Sequence, residues 1–98
     1  MSRTILHLEI EDSVKELLNA LLSARGHKVE SLASGKAGLA RIAGENIDLV
    51  VVGAELEDID GISFISKLRA SNRNISIIYV SKVWHDAAIY KQLRSDLK

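Results

Sequence analysis

The 98 residues suit a single domain, and 47% of them are hydrophobic, enough for a core whose stability margin is small at this size. Thirteen basic and 13 acidic side chains cancel to a formal net charge of zero, so no overall charge draws the chain to nucleic acid or to an anionic membrane. The absence of cysteine excludes disulfides and thiolate metal sites, and no apolar run approaches the roughly 20 residues of a membrane span.

The chain begins MSRTILHLEIED, an apolar stretch broken by His7 and Glu9 and unlike a secretory signal, which makes a cytoplasmic location the expectation. Thr4 to Leu8 reads as a strand. Ser13 and Glu16 match a capping box, in which a hydroxyl and a carboxylate satisfy free N–H groups at a helix start. Val14, Leu17, Leu18, Leu21 and Leu22 follow on one helical stripe, and Gly26 closes that helix. A short strand over Lys28 to Ser31 comes next. Ser34 caps a second, Gly-rich helix that runs through Ala43 and ends at Gly44.

Asp48 to Val52 reads as a strand whose run Leu49 to Val52 is continuously apolar, and a loop with four acids follows it. A third helix covers Ile62 to Ala70, with Phe64, Ile65 and Leu68 on one face and Asp60 as its cap. Ile75 to Val80 is a fourth strand, and a fourth helix is expected from Trp84 to Leu97, with Ile89, Leu93 and Leu97 spaced by four. Strands therefore alternate with helices, the pattern of a parallel α/β sheet with right-handed crossovers. Strands that are apolar throughout fit such a sheet, because they are buried on both faces.

Ligands gather at the C-terminal ends of strands in these sheets. The loops after the first and third strands hold Glu9, Glu11, Asp12, Glu55, Glu57, Asp58 and Asp60, which are seven of the 13 acids. Such acids either bind a cation or spread into solvent. The calcium-binding helix–loop–helix pattern fails, because Gly61 at its sixth position puts Leu56 and Lys67 where the first and twelfth ligands belong. SGKAG at Ser34 to Gly38 does not match a phosphate-binding P-loop. His7 reads as a packed or edge-facing strand residue and not as a metal site. His27 and His85 read as surface residues, and Trp84 as packed on the sheet or anchoring an interface. Lys82, Lys91, Arg94 and Lys98 make the last helix basic on a solvated face.

Three stretches resemble the receiver domain of two-component response regulators. ILHLEIEDSVKELL resembles its first strand, acidic loop and first helix. DLVVVGAELEDIDGISFISKLR resembles its third strand, active-site loop and third helix, and IIYVSK its fourth strand and switch hydroxyl. The resemblance implies a flavodoxin-like, doubly wound α/β parallel sheet, here truncated to four βα units in the order 2-1-3-4. It also implies a single receiver-like domain over residues 1–98, as the N-terminal part of a longer receiver domain or protein.

The family's chemistry, as the resemblance implies it, needs two acids after the first strand for Mg²⁺ and an Asp at the end of the third strand for the phosphoryl group. It also needs a hydroxyl after the fourth strand, and a Lys and an aromatic on or after the fifth. In phosphoryl transfer such a metal and cation offset charge on oxygen. Here the acid pair falls on Glu9 and Ile10, with Glu11 next. The acceptor position falls on Gly53, and Ser81 matches the switch hydroxyl. The Lys and aromatic have no counterpart. What remains is a residual acidic pocket of Glu9, Glu11 and Glu55, no metal ligand set, and no cofactor beyond weakly held Mg²⁺.

The leading expectation is therefore a non-enzymatic signalling module working through protein contacts. The alternative is an active phosphorelay receiver using Glu55 or Asp58 off register, although in-line geometry would suffer from the shift. A small-ligand flavodoxin-like domain and a DNA-binding output module are further alternatives, the latter disfavoured by zero net charge. With no fifth strand, the fourth becomes an exposed apolar edge. That points to a protein partner or a homodimer through the fourth-strand side.

Overall fold

The computed structural model describes residues 3–44, 46–71 and 74–80. In chain order these form β1 (Thr4–Leu8), α1 (Asp12–Ser23), β2 (Lys28–Leu32), α2 (Gly35–Ala43), β3 (Leu49–Gly53), α3 (Gly61–Ser71) and β4 (Ser76–Val80). The four strands make one parallel sheet in the order β2-β1-β3-β4. The expected order of strands and the α/β class are both found. The fourth helix, with Trp84, His85 and the basic residues after Ser81, lies outside the described residues.

Register follows from burial. Leu6 faces Val50 and Leu8 faces Val52 across β1 and β3, while His7 faces Val51 and Ser31. Because side chains alternate along a strand, Leu6, Leu8, Val50 and Val52 share one face. There they pack with Ile42 of α2 and with Phe64 and Leu68 of α3. Phe64, Leu6, Leu8, Val50 and Val52 are completely buried. Burying each such side chain contributes on the order of 1.5–3 kcal/mol. The other face carries Ile5, His7 and Val51, all buried.

The helix ends are partly as expected. The Ser34 hydroxyl accepts the N–H of Ala37 at 3.0 Å, and Gly44 follows the last turn of α2. Asp60 accepts the Ser63 N–H at 2.7 Å and its hydroxyl at 2.8 Å, capping α3. Gly26 has φ +85°, which lets the chain reverse after α1 at a point where a side chain would be strained.

The capping box at Ser13 and Glu16 is a correction. Helix α1 starts two residues earlier, Glu11 stands at its N-cap, and that cap makes no side-chain hydrogen bond. Ser13 thus lies inside the first turn, and Asp12 supplies the negative charge that the helix dipole favours there. The stripe on α1 is also less buried than its spacing suggests: Leu17 and Leu21 are 62% and 55% exposed. Strands β2 and β3 each end one residue later than expected, so that Leu32 and Gly53 are strand residues.

Candidate functional site at the mouth of β1 and β3

The topology puts the C-terminal ends of β1 and β3 side by side, with Leu8 beside Val52. Glu9 leaves β1 at that point and Gly53 is the last residue of β3, paired with Val80 of β4. Gly53 is buried. Glu9 is buried too, only 5% exposed. One oxygen of its carboxylate accepts the N–H groups of Ile10 at 3.0 Å and Glu11 at 3.2 Å. These are the first two amides of its own loop, aimed back at a carboxylate that would otherwise be costly to bury.

The other oxygen leans over Gly53. A Cβ placed on Gly53 would lie 2.8 Å from Glu9 Oε1, 3.2 Å from Glu9 Cδ and 3.2 Å from the Leu8 carbonyl oxygen. A second close approach lies beside it. A Cβ on Gly61 would collide with the Gly53 carbonyl, and the Gly61 N–H donates to the Ala54 carbonyl at 2.8 Å. Gly61 therefore lets the start of α3 press directly on the end of β3.

The acidic loop after β3 separates into different jobs. Glu55 is exposed, and its backbone forms an isolated antiparallel bridge with Asp60. Asp58 reaches across to α2, where its carboxylate accepts the N–H groups of Gly35 at 2.7 Å and Lys36 at 2.9 Å. These bonds, with Lys67 adding a smaller attraction, hold the Asp58 carboxyl below its ordinary range. The Ser63 amide and hydroxyl do the same for Asp60. The Glu57 N–H donates to the Ala33 carbonyl at 3.0 Å. Asp58 is thus a second cap for α2 supplied by a distant loop, a role invisible in spacing because its partner lies 23 residues away.

Of the acids expected in one pocket, Glu9 and Glu11 meet through the Glu11 amide, and Glu55 stands in the solvent-exposed loop. Among the described residues, no group of three His, Asp or Glu side chains is placed to hold a metal ion. Ser81 lies outside the described residues.

A feature missed in the sequence is the polar row behind this mouth. His7 is 1% exposed, and its Nδ1 finds no hydrogen-bond partner; neither does Ser31 Oγ, the residue beside it on β2. Burial pushes the His7 imidazole below its ordinary pKa; Glu9 opposes that shift and Lys15 adds to it. His7 was legible as a packed residue, but its neighbour across the strand was not.

A parallel sheet in the order 2-1-3-4, with its buried polar residues at the mouth of the two central strands, defines a doubly wound α/β domain. The family model of the response regulator receiver domain matches residues 5–96, and the chain belongs to that family. It is 32% identical to the sensor kinase CckA of Brucella abortus over 99 residues, covering 99% of this chain and 10% of that protein. It is 30% identical to the transcriptional regulatory protein AfsQ1 of Streptomyces coelicolor over 70 residues, covering 71% of this chain and 31% of that one. The chain thus spans a third or less of these two relatives. Its fold is similar to a CheY-like receiver domain from Methylobacillus flagellatus, with a TM-score of 0.76 at 24% identity, covering 88% of this chain and 75% of the other. The chain is a receiver domain of two-component signalling. No helix among the described residues is long and apolar enough to cross a membrane.

Proposed function

We propose that this receiver domain signals through protein contacts and does not itself take up a phosphoryl group at the end of β3. The observation that carries this is Gly53. The strand end where the family's acceptor carboxylate is expected bears no side chain, and so no oxygen to attack phosphorus. The module is on this reading not an enzyme, and it acts in the cytoplasm on another protein or on a second copy of itself. Zero net charge offers no support for nucleic acid as the partner.

Neither off-register acid replaces the missing group well. The Asp58 carboxylate is engaged by two amides of α2, and Glu55 lies out in the exposed loop. Transfer to either would have to give up in-line geometry at the strand mouth. The contact surface favoured by the structure is the β4 side, where Ile78, Tyr79 and Val80 are 50%, 39% and 41% exposed. Three successive large apolar residues exposed at the edge of the sheet formed by the described residues suit a pairing surface.

Two measurements test this. Incubation with acetyl phosphate and Mg²⁺, followed by intact mass and borohydride trapping, is expected to leave the chain unmodified. A trapped acyl phosphate on Glu55 or Asp58 would replace the proposal with the active-receiver reading. Sedimentation equilibrium over a wide concentration range is expected to show self-association that Ile78→Lys weakens. A monomer at every concentration would remove the second copy as partner.

A further inference from the structure

We propose that Glu9 is the resident group of this site: its carboxylate takes the volume that a side chain at position 53 would need, filling the strand mouth from within and closing it to Mg²⁺ and to an added phosphoryl group. This deepens the reading of Gly53 as a vacated acceptor position and rests on it.

Three observations converge on Glu9. Its Oε1 lies 2.8 Å from where a Cβ on Gly53 would stand, well inside a carbon–oxygen contact distance. Its side chain is buried, so the carboxylate occupies the pocket and does not hang in water. Its Oε2 takes both loop amides, from Ile10 and Glu11, which fixes the carboxylate in that pose. A buried carboxylate is stable only with such donors. Because Oε1 is the far end of a flexible side chain, a methyl group at 53 displaces it by a turn of the carboxylate, and the bonds from Ile10 and Glu11 to Oε2 resist that turn. The Leu8 carbonyl, at 3.2 Å from the same Cβ position, closes the remaining side with backbone that cannot turn aside.

The same geometry disagrees with the metal that the family implies. Mg²⁺ asks for an octahedron of oxygens, usually one or two carboxylates with water and phosphate. Here one carboxylate is buried with an oxygen already committed to two N–H donors. The next residue is Ile10, and Gly53 offers no side chain. The Ile10 and Glu11 N–H groups both donate to Oε2, so their positive ends lie against an oxygen that a cation would need to share. Glu9 thus places a carboxylate at the strand mouth, one strand over from Gly53.

A double-mutant cycle tests the exclusion. In the chain that retains Glu9, Gly53→Ala is expected to move the Ile10 and Glu11 amide resonances and to lower the urea midpoint. In a Glu9→Ala chain, the same Gly53→Ala change is expected to shift the midpoint far less. Equal losses in both backgrounds would overturn the proposal, because the Leu8 carbonyl alone would then resist the methyl group. The unaltered chain gives a second readout that needs no variant to fold. Millimolar Mg²⁺ is expected to leave the Ile10, Glu11 and Gly53 amides in place, and a saturable shift of these signals would overturn the closed site. Neither arm contains a phosphodonor, so phosphorylation of Glu55 or Asp58 would defeat the functional reading and leave this steric result standing.

Discussion

On the face of the sheet covered by α2 and α3, five side chains, Phe64, Leu6, Leu8, Val50 and Val52, are wholly shut off from solvent. On the face toward α1, the corresponding central places on β1 hold His7 and then Glu9, and α1 buries none of its own residues. The first face is a closed apolar layer. The second is a polar row under a loosely seated helix, with an open cleft of about 480 Å³ between Leu22, Ile5 and Leu49 toward the far end of the strands. The difference teaches where this domain can change. Glu9 and Gly53 belong to the polar face, so altering the chemistry at the strand mouth leaves the apolar layer untouched.

The sharpest way to break that comparison is to cut into each face and compare costs. Phe64→Ala should cost about 3–5 kcal/mol, the range for removing a large buried aromatic and leaving a cavity. Urea denaturation would measure it, and a cost below that of a typical surface change would mean that the closed layer is not where stability resides. Overpacking probes the same layer from the opposite side. A Cβ on Gly38 would meet Leu8 Cδ1 at 2.7 Å, Leu8 Cδ2 at 3.0 Å and a ring carbon of Phe64 at 3.3 Å. Gly38→Ala gains some helix propensity but should still lose about 1–3 kcal/mol through forced displacement of those side chains. A neutral or stabilising result would show that α2 can lift off the sheet.

The polar face should respond to pH where the apolar one does not. His7 is held below its ordinary pKa of 6.5, chiefly because burial disfavours the imidazolium. The unfolded chain therefore binds the proton more readily than the folded one, and the sign follows from linkage: stability falls as pH drops below about 6.5, and this loss stops growing below the folded value. A second loss begins further down. Glu30, held low mainly by its hydrogen bond from Arg41, contributes there, as do Asp58 and Asp60, held low by the amides they cap. Urea midpoints taken from neutral pH to roughly pH 5 should therefore slope in the native chain and flatten in His7→Leu, which removes the titrating group. An unchanged slope in the variant would assign the effect elsewhere.

The apolar face was the legible one. Continuous runs such as Val50 to Val52, and the helical spacing of Phe64 and Leu68, state their burial in the sequence because periodicity reports which side meets a core. The alternation of strands and helices followed from the same runs, and the strand order from the family resemblance that those runs and the acidic loops carried. Relations between distant residues were not legible. The capping of α2 by Asp58 joins residues 23 apart, and the seat of the Glu9 carboxylate over Gly53 joins two strands. Gly53 was legible as a strand end without a side chain, but only the packing places the Glu9 carboxylate against it. Helix α1 misled in the opposite direction. Its leucine stripe has the period of a buried face, and period alone cannot say how much of that face a neighbour covers.

That helix supplies the smallest expected effect and the finest test of the comparison. Leu17 and Leu21 are more exposed than any residue of the closed layer, at 62% and 55%. Replacing either with Ser removes little apolar area from a protein environment, so each change should shift unfolding stability by no more than about 0.5 kcal/mol, as surface substitutions do. The two positions are neighbours on one helical face, four residues apart, so the double variant is expected to depart from the sum of the two singles by the small energy of that pair. The measurement is urea denaturation at one protein concentration, repeated at a much higher one. A loss of core size at either concentration would show Leu17 and Leu21 covered in solution, and the contrast between the two faces would then narrow. If the loss grew with concentration, the cover would be a second copy of the chain, because stabilisation by association follows mass action.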